Sequence, residues 1–276
     1  MVGILEPPIV CPLSVQLLRV DIRSRVRFDH WFIDVRESKL GSRSVFPDST
    51  LSIQSRDVSQ SEALLMFGLR RTPAPVPAPE DCLPGRNEAL PTSDIHFVNG
   101  RPFHGPFPGN MESIIIAMGC FWGAERLFWQ VPGVYTTAAG YAGGTTPNPT
   151  YQETCTSMTG HTEAVLVVFD PEATDMQALM KVFWENHDPT QYMGQGNDIG
   201  SQYRTAIYGT TEAQIYAATE SLTSYQSKLD ESGFGKITTE VAPAGEFYYA
   251  EEVHQQYLAK IPNGYCNHGF CQVAYS

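Results

Sequence analysis

The chain has 276 residues, 42% of them hydrophobic and 17% charged, with a formal net charge of −12. That length and apolar content allow one large globular domain or two small ones, with a substantial core. The acidic balance argues against a nucleic-acid or anionic-membrane surface, and no apolar run approaches the roughly 20 residues that span a bilayer.

Taken in chain order, the sequence begins with a segment that differs in style from the rest. Residues 1–110 carry 12 basic and 12 acidic side chains, and residues 111–276 carry 6 and 18. Eleven of those first 12 bases are arginine. Residues 1–65 show no helical or strand period. They are expected to be disordered, and Met66 marks an alternative start. The N-terminus is interrupted by prolines and lacks a basic n-region and an unbroken apolar stretch. A cytoplasmic protein with reduced thiols is therefore expected. Five prolines in "RRTPAPVPAPEDCLPGR" predict an extended segment, and residues 66–110 read as a Pro-rich arm leading into or wrapping a domain over 111–276.

From Met111 the pattern is dense. "ESIIIAM" predicts a short buried strand. "CFWGAERLFWQ" repeats large apolar residues at three- and four-residue steps and predicts a helix, stopped by Pro132-Gly133. "VYTTAAGYA" predicts a second strand, and residues 143–161 a long turn-rich loop of the kind that carries function. "TEAVLVVFD" is the clearest strand, and "DMQALMKVFWENH" a helix. A polar loop then leads to the strand "YRTAIY". Thr211 with Gln214 resembles a capping box that opens a helix to about residue 231. "KITTEVAPA" predicts a strand, "YAEEVHQQYLAK" a last helix, and the remaining tail a coil. Strands and helices mix without a strict βαβ spacing or a glycine-rich phosphate loop, which predicts an α+β layered domain.

Cys120 draws attention because it lies between Gly119 and two large aromatics where a strand gives way to a helix. Free backbone N–H groups and the positive end of a helix dipole favour thiolate at such a junction. The alternative is a small buried hydrophobe at the top of a core helix. The other cysteines are Cys11, Cys82, Cys155, Cys266 and Cys271. The last two, with His268 between them, could be half of a zinc site, but no second pair completes it.

The blocks "GCFWGAERLFWQVPGVYTTAAGYAGGTTPNPTYQETCTSMTGHTEAV", "FWENHDPTQ", "GNDIGSQYRTAIY" and "FYYAEEVHQQYL…NGYC" strongly resemble peptide methionine sulfoxide reductases of the A type. The likeness covers roughly residues 82–271, with "CLPGRN" matching the arm of the long form. It implies an α+β, two-layer αβ sandwich with a ferredoxin-like core and long coil segments at both ends. It also implies reduction of methionine sulfoxide, free or in proteins and of the S epimer, by thiols alone, without metal or organic cofactor and with thioredoxin as reductant. A monomer is expected, with no nucleic-acid or membrane partner.

By this resemblance Cys120 is the nucleophile that becomes a sulfenic acid. Phe121 and Trp122 form an apolar slot for the S-methyl group. Glu163 opens a strand on the face it shares with Val165, Val167 and Phe169. An acid at the end of an apolar row keeps its proton at neutral pH, and the resemblance makes it the proton donor to the sulfoxide oxygen. Tyr151 and Tyr203 match the paired hydroxyl donors to that oxygen, and Asp198 a second pocket carboxylate. Cys120, Glu163 and Asp198 together should titrate as one coupled unit. Cys266 matches the resolving cysteine, and Cys271 would pass the disulfide to the surface. Here the sequence departs from its relatives, because only four residues separate the two cysteines. Glu125 is read as structural and Cys155 as a buried spectator. Two other functions are weighed: a Cys–His acyl hydrolase using His161, and a non-catalytic module that binds oxidised methionine.

Overall fold

A six-stranded sheet in the order β7-β6-β1-β3-β2-β8 organises the fold. The computed structural model describes residues 73–266 and 271–276, all within one compact unit. The expectations for residues 1–65, for 66–72 and for His268 fall outside the described residues. The strands are β1 (Glu112–Met118), β2 (Val134–Ala142), β3 (Thr162–Phe169), β6 (Thr205–Gly209), β7 (Glu240–Pro243) and β8 (Tyr248–Tyr249); a separate two-stranded ribbon joins β4 (Gly194–Gln195) to β5 (Asp198–Ile199). All pairs are antiparallel except β6 with β7.

β1 is a continuous apolar run because both of its faces are covered. Ile114, Ile116 and Met118 enter one buried cluster, and Ile115 and Ala117 the other. Each buried isoleucine contributes about 1.5–3 kcal/mol relative to exposure, so this central strand anchors the sheet. The first face is covered by helices α1 (Phe121–Trp129), α3 (Met176–Glu185) and α4 (Glu212–Glu231). The second is covered by Phe103 from the arm and by residues around 242–249. The arm is therefore part of the packed structure: Phe103 and His96 are fully buried.

His96 joins a chain of buried hydrogen bonds that reaches the back of α1. Its Nδ1 accepts from the N–H groups of Val98 and Asn99, so its Nε2 carries the proton and donates to Thr137 Oγ1 at 2.9 Å. Thr137 in turn donates to Glu125 Oε1 at 3.1 Å, and the Gln256 backbone and side-chain N–H groups donate to the same carboxyl at 2.8 and 2.7 Å. Burial pushes the Glu125 carboxyl up to about 7 and the His96 imidazole down to about 4. The structural reading of Glu125 holds.

Four elements differ from expectation. The 143–161 loop contains a short helix, α2 (Tyr151–Cys155), capped reciprocally by Thr150 and Glu153. Residues 249–256 are not helical, and only α5 (Tyr257–Lys260) is. The reason is that Gln255 spends its amide on Ala139 and Ala250 backbone groups, and Gln256 adopts φ 47°. The last long strand shrinks to β7, since its partner β6 begins only at Thr205. Tyr203 sits in a 3-10 turn, Ser201–Tyr203, rather than in the strand. Thr211 caps α4 by accepting from Gln214 N, but Gln214 reaches back to Thr210 N, one residue before the expected partner. No helix among the described residues is long and apolar enough to cross a membrane.

Candidate active site

β1 ends at Met118, and the chain turns through Gly119 so that Cys120 becomes the N-cap of α1. The turn needs φ +88° at Gly119, a conformation that costs a side-chain-bearing residue about 1–2 kcal/mol. A Cβ at that position would also lie 2.5 Å from Gln195 Cβ. Gln195 cannot easily yield, because its amide holds the Asp188 backbone N–H and C=O at 2.8 and 3.0 Å. Gly119→Ala should therefore lower stability by about 2 kcal/mol or more, read as a drop in denaturant midpoint, and should reduce activity by displacing Cys120. A variant with wild-type midpoint and activity would contradict this.

The Cys120 side chain is 4% exposed. At the helix start Cys120 makes no side-chain capping hydrogen bond. Burial, reinforced by the charges of Glu163, Asp198 and Cys266, pushes the thiol well above its ordinary value. The expectation that the helix end favours thiolate is therefore corrected: burial of Cys120 disfavours the charged form.

Glu163 is 2% exposed, and its Oε2 accepts from the Phe121 N–H at 3.0 Å. Burial raises its carboxyl well above the usual range. The Phe121 N–H opposes that, while Asp198 and Glu251 add to it. Burial thus favours the neutral form of both the carboxyl and the thiol, and Glu163 meets the Cys120 junction at the Phe121 N–H.

Phe121 and Trp122 are both buried. Phe121 stacks on Tyr151 at 6.5 Å and Trp122 on Tyr257 at 4.0 Å. Tyr151, 7% exposed, opens α2, and its backbone N–H donates to Glu251 Oε1 at 2.8 Å. Tyr203 is buried in the same apolar cluster as Cys120, Phe121 and Trp122. Asp198 lies on β5, and Tyr265 donates to its Oδ1 at 2.9 Å. Cys266 is exposed, next to Arg126. Cys271 is held elsewhere: it is free but buried, donates to Asp188 Oδ1 at 3.3 Å, and its thiol is pushed up to about 12, chiefly by burial. Cys155 is buried as expected, but it is disulfide-bonded rather than reduced.

A scan of family profiles matches residues 112–274 to the family described as Peptide methionine sulfoxide reductase. The chain belongs to this family. Among curated relatives, "Peptide methionine sulfoxide reductase MsrA 1" of Caulobacter vibrioides is 61% identical over 74% of this chain and 94% of its own length. The protein of the same name from Synechocystis is 60% identical over 71% of this chain and 89% of its own. Among solved structures, methionine sulfoxide reductase A of Corynebacterium diphtheriae superposes with a TM-score of 0.66 at 46% identity, covering 72% of this chain and 99% of that one.

Several residues packed around this candidate site were given no role in it from the sequence. Glu251 ties together Tyr141 Oη and the Tyr151 N–H. His254 Nδ1 accepts from Trp122 Nε1 at 3.2 Å and holds the indole in place; burial lowers its imidazole to about 4, so it stays neutral and able to accept. Tyr265 packs edge-on to Trp122. Their only signal was membership of the "FYYAEEVHQQYL…NGYC" blocks. His161, the candidate base of a hydrolase, has both ring nitrogens engaged: Nδ1 accepts from the Gly144 N–H at 3.1 Å, and Nε2 bonds the Thr146 carbonyl at 2.7 Å. It serves the loop, and nothing supports the acyl-hydrolase alternative.

Proposed function

We propose that this chain reduces methionine sulfoxide of the S epimer, free or in proteins, with Cys120 as nucleophile and Glu163 as proton donor. The observation that carries this reading is the meeting of the buried Glu163 carboxyl and the Cys120 junction at the Phe121 N–H; burial favours the protonated form of that carboxyl. The order β6-β1-β3-β2, with α1 between β1 and β2 and α3 between β3 and β6, supports describing the core as ferredoxin-like.

In this reading the substrate methyl group lies against Phe121 and Trp122, and the sulfoxide oxygen faces Glu163 with the Tyr151 and Tyr203 hydroxyls. Asp198 closes the pocket with Tyr265. Glu163 protonates the oxygen, which makes the sulfoxide sulfur a better electrophile. Cys120 takes the oxygen, and the proton that its thiol loses restores Glu163. The thiol and sulfoxide become sulfenic acid and thioether. Cys266 then condenses with the sulfenic acid, and an external dithiol of the thioredoxin class reduces the disulfide. Cys271 can join that relay only after leaving Asp188.

An assay with each sulfoxide epimer and dithiothreitol tests the substrate. Cys266→Ser, supplied with the S epimer and no reductant, should release one methionine per chain and then stop with Cys120 as sulfenic acid. Multiple turnovers without reductant, or no first turnover, would contradict the assignment of roles.

A further inference from the structure

Residues 111–276 contain only six basic side chains. Lys181, Arg204, Lys236 and Lys260 are paired with carboxylates, and Lys228 donates to the Tyr275 carbonyl. The sixth, Arg126, points at sulfur: its Nη2 donates to Cys266 Sγ at 3.4 Å. Among the described residues no carboxylate is ion-paired with Arg126, in a region that holds 18 acids.

The setting makes this contact directional. Arg126 lies four residues beyond Trp122, on the same face of α1. Tyr265 packs on Trp122 and bonds Asp198, while the next residue, Cys266, meets Arg126. Two consecutive tail residues thus register against two helix residues one turn apart. A long helical side chain leans toward the N-terminus of its helix, and Cys120 is the N-cap of the helix that carries Arg126. Cys266 follows directly on Tyr265, which packs on Trp122, two residues from Cys120.

We propose that Arg126 presents the Cys266 sulfur to Cys120 and carries the negative charge that forms on that sulfur as the disulfide closes. This rests on the roles given above to Cys120 and Cys266. In the step concerned, the Cys266 thiol gives up its proton and its sulfur attacks the Cys120 sulfur. The S–S bond forms, the S–O bond breaks, and the hydroxyl leaves with a proton as water. Cys266 is oxidised and the Cys120 sulfenic sulfur reduced, so no other oxidant enters. A fixed guanidinium stabilises the attacking anion throughout.

The test is a single turnover with the S sulfoxide and no reductant, on wild type, Arg126→Met and Arg126→Lys. Methionine and the Cys120–Cys266 disulfide are followed separately, and the sulfenic acid is trapped with dimedone. In Arg126→Met methionine should still form, while disulfide closure slows about tenfold or more near pH 7 and sulfenic acid accumulates. Arg126→Lys should recover most of the rate, because the ammonium keeps the charge. The Met deficit should shrink near pH ~9.5, where a thiol ionises unaided. Closure at the wild-type rate in Arg126→Met overturns the proposal, as does an equal deficit in both variants at every pH, which would mark a packing role only. Absence of methionine in wild type would instead sink the underlying roles of Cys120 and Glu163.

Discussion

Cys120→Ser is expected to abolish sulfoxide reduction, with methionine release falling by about four orders of magnitude or more. The reason is chemical. Sulfur can accept the substrate oxygen and become a sulfenic acid, whereas a serine hydroxyl would have to become a peroxide. The fold should survive, because serine is slightly smaller than cysteine and is itself a favoured residue at the N-cap position that Cys120 holds. Methionine release with dithiothreitol in excess, together with an unchanged near-UV circular dichroism spectrum, checks both halves. A correctly folded variant that turns over at the wild-type rate would remove the basis for every role assigned here.

The second large effect belongs to Glu163→Gln. The amide can still accept from the Phe121 N–H at the place where Oε2 does so now, but it has no acidic proton to give. The single-turnover rate of methionine formation should fall about 10²–10⁴-fold. Wild-type activity should also decline on the alkaline side as Glu163 loses its proton, and the variant should lack that decline. Stability follows the same group. The folded state holds the Glu163 proton to a higher pH than the ordinary 4.5 of the free carboxyl. As pH rises through that window the unfolded chain gives up a proton that the folded chain keeps, so stability falls with increasing pH. Glutamine cannot ionise, so the variant should lose less stability between pH 5 and 8 than wild type. Denaturant midpoints at those two pH values read this directly, and parallel losses in the two proteins would argue against a proton-bearing Glu163.

Much of this site was legible because its parts lie on strongly patterned segments. The alternation of β3 puts Glu163 on the face of Val165, Val167 and Phe169, and all three enter the cluster around Cys120. Gly119 before Cys120 announced a tight turn, and φ +88° confirms the need for glycine. Where the reading fell short, distant partners had overridden local pattern. The helical period of "YAEEVHQQYLAK" is real, yet Gln255 and Gln256 form more hydrogen bonds across the fold than within a helix. Helix α2 was missed although Thr150 and Glu153 spell its capping box, since five residues are too few to show a period. The ionisation of Cys120 was misjudged because local sequence shows the helix start but not how completely the site is shut from water. Glu251, His254 and Arg126 could not be picked out, as each acquires its role only from a partner 100 or more positions away.

The hydrogen-bonded line from His96 through Thr137 to Glu125 has a practical consequence for dissecting this protein. A fragment begun at Met111 would inherit the reactive sulfur but not the scaffolding behind it. The threonine would lose its donor, the rear of the Trp129 ring its edge-on imidazole 6.1 Å away, and the sheet's second face the Phe103 ring. Trimming the arm removes masonry from the wall on which the reaction is mounted.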